Sequence, residues 1–341
     1  MDFRRAFPCW LAIAGALLTL PAVASAHQAA TLGGGQLTIT GDKPAPNGDP
    51  KPNDLIVLSY DAAANELVAG NDIFSGAPSG CRDDNAAGLG IIHCPAALVS
   101  HVAINAGDGN NKFVLGGLID SGTPNQFASP DLAAVNVVAG TGNDNLSTFS
   151  TARALGAPTF ATSSAAGQPV VMSFDMGTGN DVVRVGGGTF EATFGSAGNY
   201  TAGSGHNVVT MGVGSSTVTV GDGTNVIKLG SGNSKVTVGD GTNTAIFGRG
   251  NSKYFGGAGF DDVTFKGGND KFFGGAGDDR AKMGSGHDKA FGGPGKDTLK
   301  GNGGVDKLIG GGGFDKLIGG GGGDKCIGGG GGAKTVGCEH G

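Results

Sequence analysis

The sequence predicts an all-β protein built as a parallel β-solenoid, or β-roll, with 18-residue coils and an irregular β N-terminal part. Glycine supplies 71 of the 341 residues, which indicates a repeat protein when the glycines are periodic. Only three of the 29 acidic residues are Glu, so the acid that favours helices is nearly absent, while Asp, which favours turns, is abundant. Residues 202–336 divide into fifteen consecutive units of nine residues without an insertion.

Each nine-residue unit is predicted to form one turn and one short strand. Positions 2 and 4 are nearly always Gly, which suits a turn through positive φ. Position 8 is usually apolar, as at Val209, Val218 and Ile227, and one inward residue between outward ones is the pattern of a short strand. Such a unit has no room for a helix, so two units are expected to make one coil.

The remaining sequence predicts the domain organisation. Residues 1–26 have the features of a secretory signal peptide, with Arg4 and Arg5, an apolar run too short to span a bilayer, and Ala-Ser-Ala at 24–26. We expect a secreted or cell-surface protein without a transmembrane span in the mature chain. The further predicted boundaries are an irregular β cap at 27–105, loop-interrupted degenerate repeats at 106–201, neutral repeats at 202–255, acidic repeats at 256–336 and a tail at 337–341.

Four cysteines follow the predicted signal peptide: Cys81, Cys94, Cys326 and Cys338. Exported chains favour disulfides, and four cysteines allow three pairings. Proximity in sequence favours Cys81 with Cys94 and Cys326 with Cys338. The alternative is a metal site that uses His93 beside Cys94, although the paired C-x-x-C spacing typical of zinc sites is absent.

The repeat units resemble the calcium-binding nonapeptide G-G-x-G-x-D-x-U-x of RTX, or haemolysin-type, proteins. Residues 274–282 (GGAGDDRAK) and 292–300 (GGPGKDTLK) fit the pattern closely. Isolated copies place Asp144 and Asp181 at the same position, and a variant copy at 106–113 has Asn there. The resemblance implies a parallel β-roll that holds Ca²⁺ between the turns of successive coils.

Position 6 supplies the carboxylate of that motif, and its identity changes along the array. It is Asn or Ser in the first six units and Asp in the next eight, before Ala333. Stacked carboxylates repel one another unless a cation lies between them. We expect an Asn column to continue into Asp270, Asp288, Asp306 and Asp324, and a Ser column to continue into Asp261, Asp279, Asp297 and Asp315. Three gaps per column predict about six Ca²⁺ sites, with weaker sites at Asp144 and Asp181.

The neutral units have a second apolar position. Position 1 is Met211, Val220, Leu229, Val238 and Phe247 in these units. Positions 8 and 1 are therefore predicted to face inward, and residues 202–255 to fold without metal. Two residues replace Gly at position 2: Lys266 predicts a strained turn and a weak site, whereas Asn302 tolerates positive φ better.

The sequence favours a non-enzymatic calcium-binding protein. It contains neither H-E-x-x-H nor G-x-S-x-G, and its net charge of −6 argues against a nucleic-acid partner. The basic residues common at position 7 are interpreted as a solvated face. One alternative is a surface adhesin, or a glycan- or ice-binding rod, in which Thr224/Thr242 and Asn225/Asn243 form outward ladders. A second alternative is a hydrolase with an unrecognised site in 27–201.

Overall fold

The computed structural model describes residues 29–41, 54–61, 64–70, 77–83, 91–115, 132–147, 171–185 and 188–339. The predicted signal peptide lies outside these ranges. Their regular structure is β-strand apart from one 3₁₀ turn at Ala96–Leu98. Over the same ranges, no helix has the length and apolarity needed to cross a bilayer.

The chain before the nonapeptide array contributes the first fourteen described strands. They are β1 (Ala29–Gly33), β2 (Gln36–Thr40), β3 (Leu55–Asp61), β4 (Glu66–Gly70), β5 (Arg82–Asp83), β6 (Ile91–Pro95), β7 (His101–Gly107), β8 (Lys112–Leu115), β9 (Ala134–Ala139), β10 (Asn145–Ser147), β11 (Val171–Asp175), β12 (Asp181–Arg184), β13 (Gly188–Ser196) and β14 (Gly198–Thr201).

The nonapeptide array contributes one strand per unit. The strands are β15 (Gly205–Val213), β16 (Thr217–Thr219), β17 (Gly223–Leu229), β18 (Lys235–Thr237), β19 (Gly241–Ile246), β20 (Lys253–Phe255), β21 (Gly259–Thr264), β22 (Lys271–Phe273), β23 (Arg280–Lys282), β24 (Lys289–Pro294), β25 (Thr298–Gly303), β26 (Lys307–Gly312), β27 (Asp315–Gly321), β28 (Lys325–Gly329) and β29 (Ala333–Val336).

From β7 onward, successive strands alternate between two sheets, which makes this part of the chain a solenoid. The first sheet has the order β1-β2-β7-β9-β11-β13-β15-β17-β19-β21-β23-β25-β27-β29, and the second has the order β28-β26-β24-β22-β20-β18-β16-β14-β12-β10-β8-β3-β4-β6-β5. Val209 pairs with Ile227 in parallel, and Val218 pairs with Val236, so one coil of the array is 18 residues. The predicted all-β parallel solenoid is confirmed.

The irregular strands lie at the N-terminal end and extend both sheets. β2 pairs in parallel with β7, and β3 with β8. The antiparallel pairs are β1 with β2, β3 with β4, β4 with β6 and β5 with β6. At the N-terminal end of the described solenoid, both sheets therefore finish in antiparallel strands instead of parallel coils.

Both favoured cysteine pairs lie at disulfide distance. The sulfur atoms of Cys81 and Cys94 are 2.08 Å apart, and those of Cys326 and Cys338 are 1.98 Å apart. The alternative metal site at His93 and Cys94 is wrong, because Cys94 is already bonded to Cys81. The His93 ring instead lies 3.1 Å from a Glu66 carboxylate oxygen.

The core between the sheets is formed by the predicted apolar positions. Position 8 is completely buried at Val218, Leu299 and Leu317, and position 1 is buried in the neutral units, as at Met211 and Phe247. Aromatic rings stack from coil to coil: the centroids of Phe247 and Phe265 are 4.5 Å apart. Position 6 also faces inward, with at most 3% of each residue exposed from Asn207 to Asp324, which the sequence analysis did not predict.

The turns differ between the two halves of the array. Position 4 has positive φ in the first fourteen units, from 146° at Gly205 to 129° at Gly322, whereas position 2 takes positive φ only from Gly275 onward. Asn302 has φ of 75°, as its replacement of Gly predicts. Lys266 is not among the positive-φ residues, so the predicted strain there is wrong: its unit keeps the position-2 conformation of the neutral units.

We predict that Gly295→Ala destabilises the protein in the presence of Ca²⁺. Gly295 has φ of 145°, and an added Cβ would collide with the Gly277 carbonyl oxygen of the preceding coil. The left-handed conformation costs an alanine about 1–2 kcal/mol, and the backbone collision adds to that. Urea unfolding measures the change.

Gly303→Ala is the matched control for this substitution, since nothing lies within 4 Å of its Cβ position and its φ is not positive. Equal losses of stability in the two variants would contradict the role of position 4 as a conformationally required glycine.

Candidate metal centre

The position-6 side chains form two continuous columns, one leading into each sheet. The Asn-led column contains Asn207, Asn225, Asn243, Asp261, Asp279, Asp297 and Asp315; the Ser-led column contains Ser216, Ser234, Ser252, Asp270, Asp288, Asp306 and Asp324. The predicted continuation of each column was therefore wrong. One coil is 18 residues, so Asn243 precedes Asp261, and Ser252 precedes Asp270.

The neutral part of each column is a closed hydrogen-bond ladder. Asn207 Nδ2 donates to Asn225 Oδ1, and Asn225 Nδ2 to Asn243 Oδ1, both at 2.7 Å. In the Ser-led column, each backbone N–H donates to the hydroxyl of the next coil, as from Ser216 to Ser234 at 3.2 Å. Neutral side chains that both donate and accept can therefore stack in the core without another component.

In the acidic part of each column, the hydrogen bonds between coils are made to Oδ1 of the carboxylates. The backbone N–H of Asp279 donates to Asp297 Oδ1 at 2.9 Å, and that of Asp288 donates to Asp306 Oδ1 at 2.9 Å. The neutral and acidic parts are also joined through Oδ1: the Asn243 side-chain Nδ2 donates to Asp261 Oδ1 at 2.9 Å, and the Ser252 backbone N–H donates to Asp270 Oδ1 at 2.6 Å. Each Oδ1 thus links two adjacent coils.

The second carboxylate oxygen lacks a hydrogen-bond partner along most of the acidic columns. Buried, unpartnered Oδ2 atoms belong to Asp270, Asp279, Asp288, Asp297, Asp306, Asp315 and Asp324. Their residues are at most 2% exposed. A buried carboxylate without a partner is costly, and such atoms require either a proton or a cation.

Glycine at position 1 leaves space beside these oxygens. An added Cβ at Gly274 would collide with Asp279 Oδ2 and approach the Gly292 carbonyl oxygen of the next coil at 2.7 Å. The same two kinds of oxygen surround position 1 at Gly256, Gly292, Gly301, Gly310 and Gly319. Carboxylate and carbonyl oxygens are the ligands that Ca²⁺ prefers, so the residues present fit this ion.

Two acidic units depart from this arrangement. Phe265 and Met283 occupy position 1 in the units of Asp270 and Asp288, and both side chains are buried. Among the described residues, no group of three or more His, Cys, Asp or Glu side chains converges on one point. Each interval of a column instead offers two carboxylates, so further ligands must come from turn carbonyls.

The tail supplies an oxygen atom beside position 1 of the last acidic unit. An added Cβ at Gly319 would collide with the Gly337 carbonyl oxygen and approach Asp324 Oδ2. The Gly337 carbonyl therefore takes the place that the position-1 carbonyl of the next coil has in the other acidic units. The Cys326–Cys338 disulfide and the 2.9 Å hydrogen bond from Glu339 N–H to the Asp324 carbonyl oxygen hold this tail in place.

The Ser-led column also extends into the N-terminal part. The N–H of Asp54 donates to Asn111 Oδ1 at 3.1 Å, that of Asn111 to Asp144 Oδ1 at 2.7 Å, and that of Asp144 to Asp181 Oδ1 at 2.9 Å. Asp144 and Asp181 each keep a buried Oδ2 without a partner. Asp54 was missed in the sequence because Pro50 and Pro52 stand where the motif has its two glycines. Its only signal is an Asp immediately before an apolar run.

Burial dominates the electrostatics of the columns. It raises the pKa of Asp144, Asp261, Asp270 and Asp297 to about 6. It raises the pKa of Asp279 and Asp288 to about 7, with a further contribution from the neighbouring aspartates of each column. The pKa values of Asp181 and Asp306 are raised for the same first reason.

The fold and the columns define a β-solenoid whose buried acidic corners suit a divalent cation. Comparison with protein families identifies the class of these repeats. A family model of the RTX calcium-binding nonapeptide repeat, which comprises four copies of the repeat, matches residues 219–254, 255–281, 266–299, 283–317 and 301–332. Residues 219–332 therefore consist of RTX repeats. Comparisons with curated proteins and with solved structures gave no match.

We predict that the metal-free protein becomes more stable as the pH falls. The folded-state pKa values of about 6 to 7 lie above the ordinary value for Asp. The folded state therefore binds more protons, and this stabilisation is present at low pH and lost as the pH rises through about 7. Calcium-stripped protein should melt about 5 °C or more higher at pH 5 than at pH 8.

Calcium should reverse this pH dependence of the melting temperature. It displaces the protons from the carboxylates, so it should stabilise the protein most at pH 8. Calorimetric melting at both pH values measures both effects. If the melting temperature of the metal-free protein increased between pH 5 and pH 8, the conclusion that the unpartnered Oδ2 atoms need a proton or a cation would be contradicted.

Proposed function

We propose that the acidic repeats bind Ca²⁺ between successive coils and that this binding completes the fold of residues 256–336. The observation that carries the proposal is the row of buried Oδ2 atoms without a partner. A cation between two coils would neutralise the carboxylates and satisfy these oxygens together. Protonation is the alternative at low pH. The highest raised pKa values are about 7, so above neutral pH the carboxylates are ionised and open to a metal.

The proposed sites lie between consecutive aspartates of one column. Three intervals are available from Asp261 to Asp315 and three from Asp270 to Asp324, which gives about six sites. The Asn-led column has glycine at position 1 in all four acidic units, whereas Phe265 and Met283 replace it at the start of the acidic Ser-led column. The first sites of the Ser-led column are therefore proposed to be the weaker ones, and Asp144 with Asp181 is proposed as a weaker site outside the array.

The neutral repeats are proposed to fold first and to serve as a template. Their position-6 ladders are complete, and their core is wider because position 1 is apolar and buried. The last neutral residues already present hydrogen-bond donors to the first aspartates, as Ser252 N–H does to Asp270 Oδ1 at 2.6 Å. The acidic coils can therefore fold onto this template one after another as each binds calcium.

The proposed setting is outside the cell. The signal-like residues 1–26 and the two cysteine pairs both favour export. Extracellular calcium modules bind with dissociation constants of about 10⁻⁴–10⁻³ M, so external calcium would order the acidic repeats after export. We propose a non-enzymatic role. The alternative of a hydrolase in 27–201 stays a prediction that screening with ester and phosphate substrates tests.

The adhesin alternative was partly wrong about which side chains face outward. Thr224 and Thr242 are exposed, but Asn225 and Asn243 are buried in the Asn-led column. The Asn pair therefore stabilises the core and offers no outward ladder to a surface ligand.

Hydrogen exchange with and without Ca²⁺ tests the proposed folding mechanism. Removing calcium should abolish amide protection in residues 256–336 and preserve it in residues 205–255, because only the acidic columns need a cation. Equal loss of protection in both segments, or no loss in either, would refute the proposed division.

We further predict that Asp279→Asn lowers the number of bound Ca²⁺ ions. Asp279 borders two intervals of the Asn-led column, so calorimetric titration should lose about two sites. Asp278→Asn removes the same charge from an exposed turn residue whose Oδ1 accepts from Lys296 N–H at 2.8 Å, and it should leave the stoichiometry unchanged. A full complement of sites in Asp279→Asn would rule out the column as the ligand set.

A further inference from the structure

The outer face of the second sheet carries a straight row of lysines. Position 7 of its strands is lysine in six successive coils, and the pairings align each lysine with the next: Lys235, Lys253, Lys271, Lys289, Lys307 and Lys325. We call this the lysine row. All six are exposed. None of them forms an ion pair with a described residue.

An apolar row runs beside the lysine row, two residues further along each strand. Position 9 is Phe255, Phe273, Phe291, Ile309 and Ile327, and these side chains are half-buried. The Phe273 ring stacks on Phe255 and on Phe291, with centroid distances of 5.0 and 5.2 Å and interplanar angles of 2°. Both faces of the Phe273 ring are therefore occupied. Lys235 Nζ lies over the Phe255 ring, 5.5 Å from its centroid, and Phe291 pairs with Ile309 of the next coil.

The lysine row is specific to this face of the solenoid. Positions 7 and 9 of the second sheet contain no acidic residue between Lys235 and Ile327. On the first sheet, the corresponding positions are mixed: they include Lys282, Lys300 and Lys316, but also Asp262, Thr298 and Ile246. Six cations at the strand spacing of about 4.8 Å extend over roughly 24 Å. A regular row of like charges without counter-charges is complementary to an anion whose charges also repeat along a line.

We propose that this face binds a linear acidic polysaccharide, with sugar carboxylates along the lysine row and the sugar backbone on the apolar row. The occupied ring faces argue against single-stranded nucleic acid, because bases bind such surfaces by stacking on free aromatic faces. The half-buried rings argue against a membrane, because interfacial binding buries an apolar face about 5–10 Å deep in the lipid. A flat, straight and shallow surface suits an extended carbohydrate chain.

The proposed polysaccharide site lies on the outer face, whereas the calcium sites lie inside the solenoid. Polysaccharide binding requires the folded array, so the affinity is measured on the full chain in saturating Ca²⁺. The probe is an oligoglucuronate, immobilised for biolayer interferometry, and the matched probe is the same oligomer with its carboxylates reduced to alcohols. Poly-uridylate and anionic phosphatidylserine vesicles are tested in parallel.

The variant is the triple substitution Lys271→Gln, Lys289→Gln and Lys307→Gln. Its control removes the same charge from the first sheet: Lys282→Gln, Lys300→Gln and Lys316→Gln. We expect the lysine-row variant to lose affinity for oligoglucuronate roughly tenfold or more, and the control to lose less than about twofold, with binding that weakens as salt rises. Melting temperatures of both variants equal to that of the wild-type protein establish that they remain folded.

Four results would overturn the proposal: no binding of oligoglucuronate to the wild-type protein, equal losses in the two variants, equal affinity for the carboxyl-reduced oligomer, or tighter binding of poly-uridylate or vesicles. Unchanged calcium stoichiometry in the lysine-row variant separates this outcome from a failure of the calcium proposal.

Discussion

The structure depends on what occupies the inward-facing position 6 of each nonapeptide. That side chain is buried between two coils, where every polar atom must find a partner. Asn can donate and accept, so it links coils directly, as Asn225 does with Asn243. An ionised Asp can only accept. It bonds to one backbone N–H, as Asp297 Oδ1 does with Asp279, and leaves the other oxygen dependent on a cation or a proton.

The glycines at position 1 are required for the same reason, because the buried carboxylates need space for a partner. In the neutral repeats, apolar side chains such as Val238 fill the core at this place. In most acidic repeats, glycine leaves the space to carboxylate and carbonyl oxygens, as around Gly310. The acidic half thus replaces apolar packing with a polar cavity. The hydrophobic effect stabilises the first half, whereas in the second half we propose that an ion offsets the cost of burying charge.

The nine-residue period was sufficient to predict the fold, because a turn and a strand are the only elements that fit in one unit. It also predicted the buried position 8 and the position-6 residues that form the columns. The sequence did not indicate that position 6 is buried, since Asp is normally exposed; the structure shows that it faces inward. The order of the columns was misassigned although the 18-residue step determines it. Asp54 could not be predicted, because pairing between β3 and β8 spans a long and irregular stretch.

A calcium titration followed by circular dichroism tests the central claim most directly. The claim predicts that the stripped protein at neutral pH gains β-sheet signal as Ca²⁺ is added, with a midpoint of about 10⁻⁴–10⁻³ M. Mg²⁺ should be a poor substitute, because it demands octahedral geometry and gives up its water reluctantly. A stripped protein whose spectrum already equals that of the calcium-loaded protein at neutral pH would contradict the claim that the buried aspartates require a cation.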